Sequence, residues 1–140
     1  VAISSDGKEM YFGLSFSKFL TIIETHQVDG VWSKPKILSF ASDSRYKYFE
    51  PALSPDGRQM FFLSNMPIDG SDNPSDEDIW VVDRTENGWG KPYNLGEPVN
   101  SRGNEFFPSL TNDRTIYFTR AKVGERINYI YRSKFINGKY

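Results

Sequence analysis

The sequence has no cysteine and a single histidine, His26, among its 140 residues. Without cysteine the chain can form no disulfide bond and offers no thiolate as a nucleophile or metal ligand. It also has no Gly-x-Ser-x-Gly motif and no metalloprotease pair of histidines. A hydrolytic triad or a catalytic zinc site contained within these residues is therefore not expected.

Long apolar runs and an excess of either charge are missing too. No apolar stretch approaches the roughly 18 residues that a membrane-spanning helix requires. The formal net charge is −1, and its 17 basic and 18 acidic residues are interspersed. A surface dedicated to nucleic acid needs an excess of basic residues. We therefore expect no nucleic-acid partner.

Aromatic residues, by contrast, are abundant and make up 16% of the chain. Aromatic and β-branched residues favour strands over helices. The segment that comes closest to a helix contains the β-branched run Thr21, Ile22 and Ile23, which argues against one. The composition therefore predicts an all-β fold.

The most informative segment is residues 50–64, E-P-A-L-S-P-D-G-R-Q-M-F-F-L-S. It predicts a strand that begins at Pro51, a tight turn, and a second strand. In the turn, Asp56 bonds to nearby backbone and Gly57 accepts a positive φ. The unbroken apolar run of residues 60–63 predicts a strand covered on both faces.

The same pattern occurs at residues 1–14 and 108–119. The turn acids Asp6, Asp56 and Asp113 are separated by 50 and 57 residues. Gly7 matches the glycine of the second copy, whereas the third copy is one residue shorter and is expected to lack the turn glycine. Self-similarity at this period is typical of propellers and other repeat architectures.

Each copy continues with further strand signals. In the second copy these are a third strand at 78–83, the turn pair Asn87-Gly88, and a fourth strand at 89–95. The first copy has matching strands at 21–24 and 32–38, and the third copy has one at 129–131. Four antiparallel strands per repeat predict β-propeller blades. The predicted boundaries are about 1–40 for blade 1, about 48–96 for blade 2, and about 104–140 for blade 3, truncated in its last strand.

About three consecutive blades do not close a ring, because propellers have four to eight and each blade gains stability from its neighbours. We therefore expect this partial β-propeller to belong to a larger one of six to eight blades. The remaining blades are expected in the same chain, with dimerisation as the alternative.

These repeats resemble the TolB-like β-propeller repeat family, also called WD-like repeats. The resemblance covers nearly the whole chain and rests on residues 50–57 with Phe61-Phe62, on 78–80 and on 87–89. The first copy departs from the family at Ser5, where proline is favoured. Residues 95–108 resemble propellers of bacterial envelope proteins.

The resemblance implies a non-catalytic scaffold that binds a protein partner in the periplasm or cell envelope, peripheral to the membrane through other domains. Two alternatives are an accessory propeller of a prolyl-oligopeptidase-type hydrolase and a glycan-binding or glycan-processing propeller. Propellers host many unrelated activities, so the repeats are specific for the fold and not for the function.

In a propeller, the loops between strands two and three and those between blades gather on one face, the usual site of binding. Basic and aromatic residues in these loops predict a site for a protein partner or an anionic group, and ordinary solvated loop residues are the alternative. The candidate binding residues are Arg45, Tyr46, Lys47, Glu50, Arg102, Asn104, Glu105, Arg120 and Arg126.

The loop of residues 65–77 is acidic. Asp69, Asp72 and Asp76 offer oxygen ligands to Ca²⁺, but the loop lacks the alternating carboxylates and central glycine of an EF-hand. Solvated loop acids are the favoured interpretation, and apart from this calcium hypothesis no cofactor is expected.

Two pairs of residues admit both a functional and a structural role, although Glu50 and Glu105 are not in matching register. Glu50 and Glu105 are predicted to precede the first strand of their blades, where paired carboxylates can do acid–base chemistry or tie down the backbone of a neighbouring blade. Trp32 and Trp89 occupy equivalent fourth-strand positions. They form either a stacking platform or blade-to-blade packing, and their repetition favours packing.

Overall fold

The structure, a computed structural model, describes residues 1–17, 19–68, 71 and 76–140. These residues form 13 strands and one short 3-10 helix, and the described part of the chain contains no α-helix. The strands make three consecutive antiparallel sheets, spanning residues 2–37, 48–94 and 104–133. The predicted all-β class is therefore confirmed, and we call the sheets blades 1, 2 and 3.

Blade 1 runs outward from its first strand to its last. Strands one to three pair in order, and the outer edge of the third carries two short strands. The 3-10 helix Ser39–Ala41 then leads toward blade 2. The strands are β1 (Ala2–Ile3), β2 (Glu9–Phe16), β3 (Phe19–Val28), β4 (Val31–Trp32) and β5 (Lys36–Ile37).

Blade 2 repeats this arrangement, and blade 3 shows its first three strands. Blade 2 consists of β6 (Tyr48–Leu53), β7 (Gln59–Ser64), β8 (Asp78–Thr85), β9 (Gly88–Trp89) and β10 (Tyr93–Asn94). Blade 3 consists of β11 (Asn104–Leu110), β12 (Ile116–Ala121) and β13 (Asn128–Ser133). An isolated bridge between Ile136 and Lys139 follows β13.

The predicted fourth strands are each divided into two short pieces. The gaps fall at residues 33–35 and 90–92, and each gap ends in a proline, Pro35 or Pro92. Proline has no N–H to donate, so the pairing with the third strand is interrupted there.

The centre of β7 packs against both neighbouring blades. Met60 and Phe62 belong to the core between blades 1 and 2, whereas Phe61 and Leu63 belong to the core between blades 2 and 3. All four side chains are 0% exposed. The prediction of a strand covered on both faces is confirmed.

The turn between the first two strands has the same hydrogen bonds in blades 1 and 2. The Ser54 hydroxyl donates to Asp56 Oδ1 at 2.6 Å, and the Arg58 N–H donates to the same oxygen at 3.0 Å. Asp6 accepts the equivalent bonds, at 2.6 and 3.0 Å. These bonds hold the pKa of both carboxyls below the ordinary value. Asp56 and its equivalents therefore act as turn formers, as predicted.

Blade 3 has no glycine in this turn, as expected, but it keeps the position that the glycine occupies in the other blades. Asp113 accepts bonds from the Thr111 hydroxyl and the Thr115 N–H, and Arg114 occupies the glycine position with φ +63°. Compared with blade 2, the turn of blade 3 is one residue shorter, because it has no equivalent of Arg58, the residue after the glycine position. The Asp113 bonds hold the turn even with a side chain in the left-handed region.

The outer turn of blade 2 also differs from its predicted form. Thr85 pairs with Gly88, so Glu86 and Asn87 are the two central residues, and Gly88 follows them with φ +113°. In blade 1 both central residues, Asp29 and Gly30, have positive φ, as in a type I′ turn. The turn of blade 2 places its glycine after the bend instead of within it.

Replacing Gly57 with Val is expected to lower the free energy of unfolding by roughly 1 kcal/mol or more, because φ +68° is a conformation that side chains disfavour. Urea denaturation measures the change. Gly13→Val is the matched control, because both glycines leave open space within 4 Å of where a Cβ would stand and only Gly57 has a positive φ. Equal stability of the Gly57 variant and the parent would contradict the turn assignment.

Candidate functional site

The two ends of the blade strands form two faces, one with the tight turns and the other with the longer loops. The first-to-second-strand turns lie on one face, the turn face, with Asp6, Asp56 and Asp113. At the opposite ends of the strands, the pairs Tyr48–Ser64 and Ser64–Asp78 place the inter-blade loops and the loop after β7 side by side. We call this opposite side the loop face, and it carries the predicted binding residues.

Glu50 lies inside β6, not before it, so its predicted position is wrong. The strand continues across a β-bulge in which Glu50 has φ +50°, and β11 has the same bulge with Phe107 at φ +54°. Glu50 therefore corresponds to Phe107 and not to Glu105. The Phe107 N–H donates to Glu50 Oε2 at 2.6 Å, and burial raises the pKa of this carboxyl. Glu50 thus ties down the backbone of blade 3, as its structural interpretation predicted.

Glu105 is the second residue of β11, so the prediction that it precedes the strand is wrong as well. Its side chain is fully buried and accepts bonds from Arg120 Nε at 2.8 Å and from Ser101 Oγ at 2.7 Å. Arg120 also donates to the carbonyls of Pro98 and Val99, at 2.9 and 2.7 Å. This ion pair, with Glu105 fully buried and Arg120 largely so, fastens the loop between blades 2 and 3, and both charges are used within the fold.

Asp78 is a buried acid that the sequence analysis did not single out. It begins β8, is 2% exposed, and accepts one bond, from Asn94 Nδ2 at 2.9 Å. Its second oxygen, Oδ1, is buried and has no hydrogen-bond partner in the described structure. Burial, together with the nearby charge of Glu105, raises the pKa of Asp78 to about 6. In the sequence, the signal for this buried acid is a charged residue directly before the apolar run 79–82.

Asn100 completes a hydrogen-bond network around this acid. Its Oδ1 accepts the Ile79 N–H at 2.9 Å, and its Nδ2 donates to the Ile79 carbonyl at 2.9 Å. The same amide nitrogen donates to Asn94 Oδ1 at 2.8 Å. The side chain of Asn100, in the loop between blades 2 and 3, therefore bonds to the backbone of Ile79 near the start of β8 as a neighbouring strand would.

Residues of the first inter-blade loop are engaged within the fold. Arg45 Nη2 pairs with Asp43 in its own loop at 2.7 Å, and Tyr46 is buried in the core between blades 1 and 2. Lys47 Nζ donates to Glu77 Oε1 at 2.9 Å. The loop therefore presents fewer free groups than its sequence indicates.

The remaining predicted binding residues divide into one structural residue and two exposed ones. Asn104 Oδ1 accepts the Glu77 N–H at 3.1 Å, which joins blade 3 to the loop after β7. Arg102 and Arg126 are exposed on the loop face. The sequence-predicted set is thus not one cluster, because the structure groups Glu105 with Arg120 and Lys47 with Asn104 near Glu77.

The calcium hypothesis rests on residues that are mostly outside the described structure. Asp69 and Asp72 lie outside the described residues, and Asp76 is exposed. Across residues 1–17, 19–68, 71 and 76–140, no group of three or more His, Asp or Glu side chains has a metal-binding arrangement. A cation site at Asp69 and Asp72 stays a prediction.

A concave surface is formed by the loop between blades 1 and 2, the loop after β7 and the outer strands of blade 2. Its volume is about 670 Å³, and Lys91 is one of its lining residues. We call it the rim groove, and the side chains that define it are Phe40, Tyr46, Met66, Ile68, Trp80 and Tyr93. Phe40, Tyr46 and Trp80 also belong to or contact the core, so the aromatic lining is held rigidly.

The repeated fourth-strand aromatic residues pack between blades. Trp89 packs edge-on against Tyr11 of blade 1, with 5.8 Å between the ring centroids. Tyr140 packs in the same way against Phe61 of blade 2, with 6.0 Å between the ring centroids. The packing interpretation of Trp89 is confirmed. Trp32, on blade 1, is 39% exposed.

Replacing Arg120 with Ala is expected to lower the free energy of unfolding by about 3 kcal/mol or more, because it leaves the buried Glu105 carboxylate without its cation. Arg126→Ala is the control, since Arg126 is exposed and should change stability by about 0.5 kcal/mol or less. Chemical denaturation compares the two. Similar effects of both substitutions would contradict a structural role for the ion pair.

The pKa of Asp78 predicts a pH-dependent stability. Its folded-state pKa of about 6 lies above its ordinary value of 3.8, so the folded chain holds this proton more tightly than the unfolded chain. Its contribution to stability is therefore lost as the pH rises through about 6. Asp78→Asn is expected to flatten the stability profile between about pH 4.5 and 6, where the folded chain keeps this proton and the unfolded chain has lost it. At pH 8 it is expected to stabilise the chain by a few kcal/mol at most, on the order of 1.4 per pKa unit.

The control is Asp56→Asn, because hydrogen bonds lower the pKa of Asp56 and it is ionised throughout that pH range. Its variant should keep the slope of the parent. An unchanged slope in the Asp78 variant would show that this acid does not titrate as described.

In the described residues, no helix is long and apolar enough to cross a bilayer. No protein-family model matches the sequence, and no curated protein sequence matches it.

Similarity to known proteins is found among solved structures. The structure of a putative TolB from Agrobacterium tumefaciens matches with a TM-score of 0.70 and 18% identity, over 99% of this chain and 46% of that one. The structure of TolB from Acinetobacter baumannii matches with a TM-score of 0.63 and 18% identity, over 95% of this chain and 29% of that one. The chain thus spans less than half the length of either structure, and it has a TolB-like β-propeller fold.

Proposed function

We propose that this chain is a non-catalytic propeller segment of a bacterial cell-envelope protein and that it binds a protein partner through the loop face. The resemblance to TolB-like repeats implies the envelope location and the protein partner. The similarity in fold to two TolB structures supports the propeller part of the proposal.

The rim groove is the observation that carries it. Protein interfaces draw most of their binding energy from a few aromatic and arginine side chains that sit in well-packed pockets. The groove offers such a lining, with Phe40, Tyr46 and Trp80 fixed by the core behind them. Because these rings are already held in place, a partner that contacts them loses little side-chain entropy on binding.

An acid–base role for the predicted carboxylates has less support. Glu50 accepts a backbone N–H from the next blade, and Glu105 is neutralised by Arg120. His26 lies 3.2 Å from Glu24 on the same strand, on blade 1. These contacts occupy the three groups within the fold, whereas the rim groove is a concave surface among the described residues.

The test is site-specific cross-linking in cells of the source organism, with a photoreactive residue at Lys91 beside the groove or at Arg58 on the turn face. We expect one protein to be captured from Lys91 and not from Arg58. Binding of that purified protein is then measured for two exposed loop-face variants, Ile68→Asp in the groove and Val123→Asp outside it.

We expect Ile68→Asp to weaken the binding at least tenfold and Val123→Asp to leave it unchanged. Capture from both faces alike, or equal binding by the two variants, would contradict the proposal. Neither exposed residue contributes to the buried core, so both variants are expected to fold.

A further inference from the structure

The junction between blades 2 and 3 carries charged side chains where the junction between blades 1 and 2 carries neutral ones. The backbone identifies the equivalent positions. After each last strand, a leucine N–H donates to the third strand, to the Ile22 carbonyl in blade 1 and to the Ile79 carbonyl in blade 2. Thr21 and Asp78, which precede these acceptors, are therefore equivalent.

The residues on the other side of each junction also correspond. The two β-bulges described above align β6 with β11, so Tyr48 is equivalent to Glu105. Ser64 lies opposite Tyr48, and Arg120 lies opposite Glu105. The first junction thus has threonine, tyrosine and serine where the second has two carboxyls and one guanidinium.

The charged groups of the second junction are removed from water. Glu105 is 0% exposed, Asp78 is 2% exposed, and the side chain of Arg120 is 15% exposed. Arg120 is already paired with Glu105, and the described residues give Asp78 no cation of its own. A buried carboxylate without a cation is costly, so such a group takes up a proton instead.

The other elements packed around Asp78 contribute neutral or acidic groups. By element, they are Ser64 on β7, Asn94 on β10, Asn100 and Ser101 in the inter-blade loop, Asn104 on β11, and Asp76 and Glu77 in the loop before β8. The Glu77 carboxyl is paired with Lys47, and the charge of Asp76 disfavours a further negative charge at Asp78. The buried cluster of two carboxyls and one guanidinium is neutral only when one carboxyl holds a proton.

Thr21 shows which hydrogen bond this position makes in the neutral junction. Its hydroxyl donates to the Ala41 carbonyl at 2.6 Å. The equivalent carbonyl in the second loop, that of Pro98, already accepts from Arg120 at 2.9 Å. A donor at Asp78 therefore needs a different acceptor, and Asp78 Oδ1 is the buried atom that lacks a partner among the described residues.

Glu105 is the acceptor within reach. Its N–H donates to the Glu77 carbonyl at 2.9 Å, which places the start of β11 against the start of β8. Burial, the charge of Glu105 and a hydrogen bond between the two carboxyls raise the pKa of Asp78. That bond needs a proton on one partner, because two ionised carboxylates are both acceptors only.

We propose that Asp78 and Glu105 share one proton across the junction between blades 2 and 3, and that this proton holds the inter-blade loop of residues 95–103 over the start of β8. The proton is bound to Asp78 Oδ1, which donates to the Glu105 carboxylate. When the proton passes to solvent, the cluster has an uncompensated buried charge, and the loop opens to admit water. The neutral junction between blades 1 and 2 stays closed, and neither behaviour depends on the function proposed above.

The test compares equivalent amides of the two junctions by hydrogen exchange of the intact 140-residue chain at about pH 5 and about pH 7.5, with the intrinsic exchange rates corrected. Leu95 and Leu38 are the matched pair, because each donates its N–H to the third strand of its blade. We expect the protection of Leu95 to fall about tenfold or more at the higher pH and that of Leu38 to stay the same.

Two substitutions remove the group that binds the proton. Asp78→Thr reproduces Thr21 of the first junction, and Asp78→Asn keeps the shape of the carboxyl, but neither side chain titrates. In both variants we expect Leu95 to be equally protected at the two pH values. A loss of protection that persists in both variants, or an equal loss at Leu38 and Leu95 in the parent, would overturn the proposal.

Infrared difference spectroscopy tests the sharing of the proton directly. At about pH 5 we expect the parent to show the C=O band of a protonated carboxyl that is missing from Asp78→Asn. In Glu105→Gln, which removes the charge of the acceptor, this band should be lost at a pH lower by about 1 unit or more. The absence of such a band, or a band that titrates identically in the parent and in Glu105→Gln, would show that the two carboxyls do not share a proton.

Discussion

Blade 2 has apolar side chains on both faces of its central strand, and the packing of all three blades follows from the need to cover both. Met60 to Leu63 alternate between two cores, and each core is completed by a different neighbouring blade. Removing apolar surface from water supplies most of the favourable free energy of folding. A blade of this composition is therefore stable only between two others, which explains why the repeats pack in series.

Polar contacts fix how the blades meet once burial has brought them together. On the turn face, Arg84 of blade 2 pairs with Glu9 of blade 1 at 2.5 Å, and Arg114 of blade 3 donates to Gln59 of blade 2 at 3.1 Å. On the loop face, Glu105 and Arg120 fasten the inter-blade loop. These directional bonds set the register between blades, which non-directional apolar packing leaves undefined. Many residues that look functional in the sequence are therefore used in assembly.

The division between assembly and binding gives the rim groove its interest. The groove presents aromatic rings that the core already holds. It belongs to the surface, where one blade differs from the next. The turns and cores that the three copies share specify the scaffold and leave this surface free to vary.

The strands, the turns and the repeat could be predicted from the amino-acid sequence, because each depends on residues close together in the chain. Asp56 and Gly57 specify their turn locally, and the run of residues 60–63 specifies a doubly covered strand. Even here the bulge at Glu50 was not foreseen, since an extra residue in a strand has no simple compositional signal.

The residues that meet between blades, by contrast, are visible only once the sheets are packed. The bond from Phe107 to Glu50 joins residues 57 positions apart, and the contact of Arg84 with Glu9 joins residues 75 apart. The burial of Asp78, with one oxygen lacking a partner in the described structure, also follows from loops folded over it from a distance. Local propensity carries no information about such contacts, because they depend on how whole sheets pack. The packing of the sheets decides whether a polar loop residue bonds to a neighbouring blade, becomes a buried acid or stays exposed on the surface.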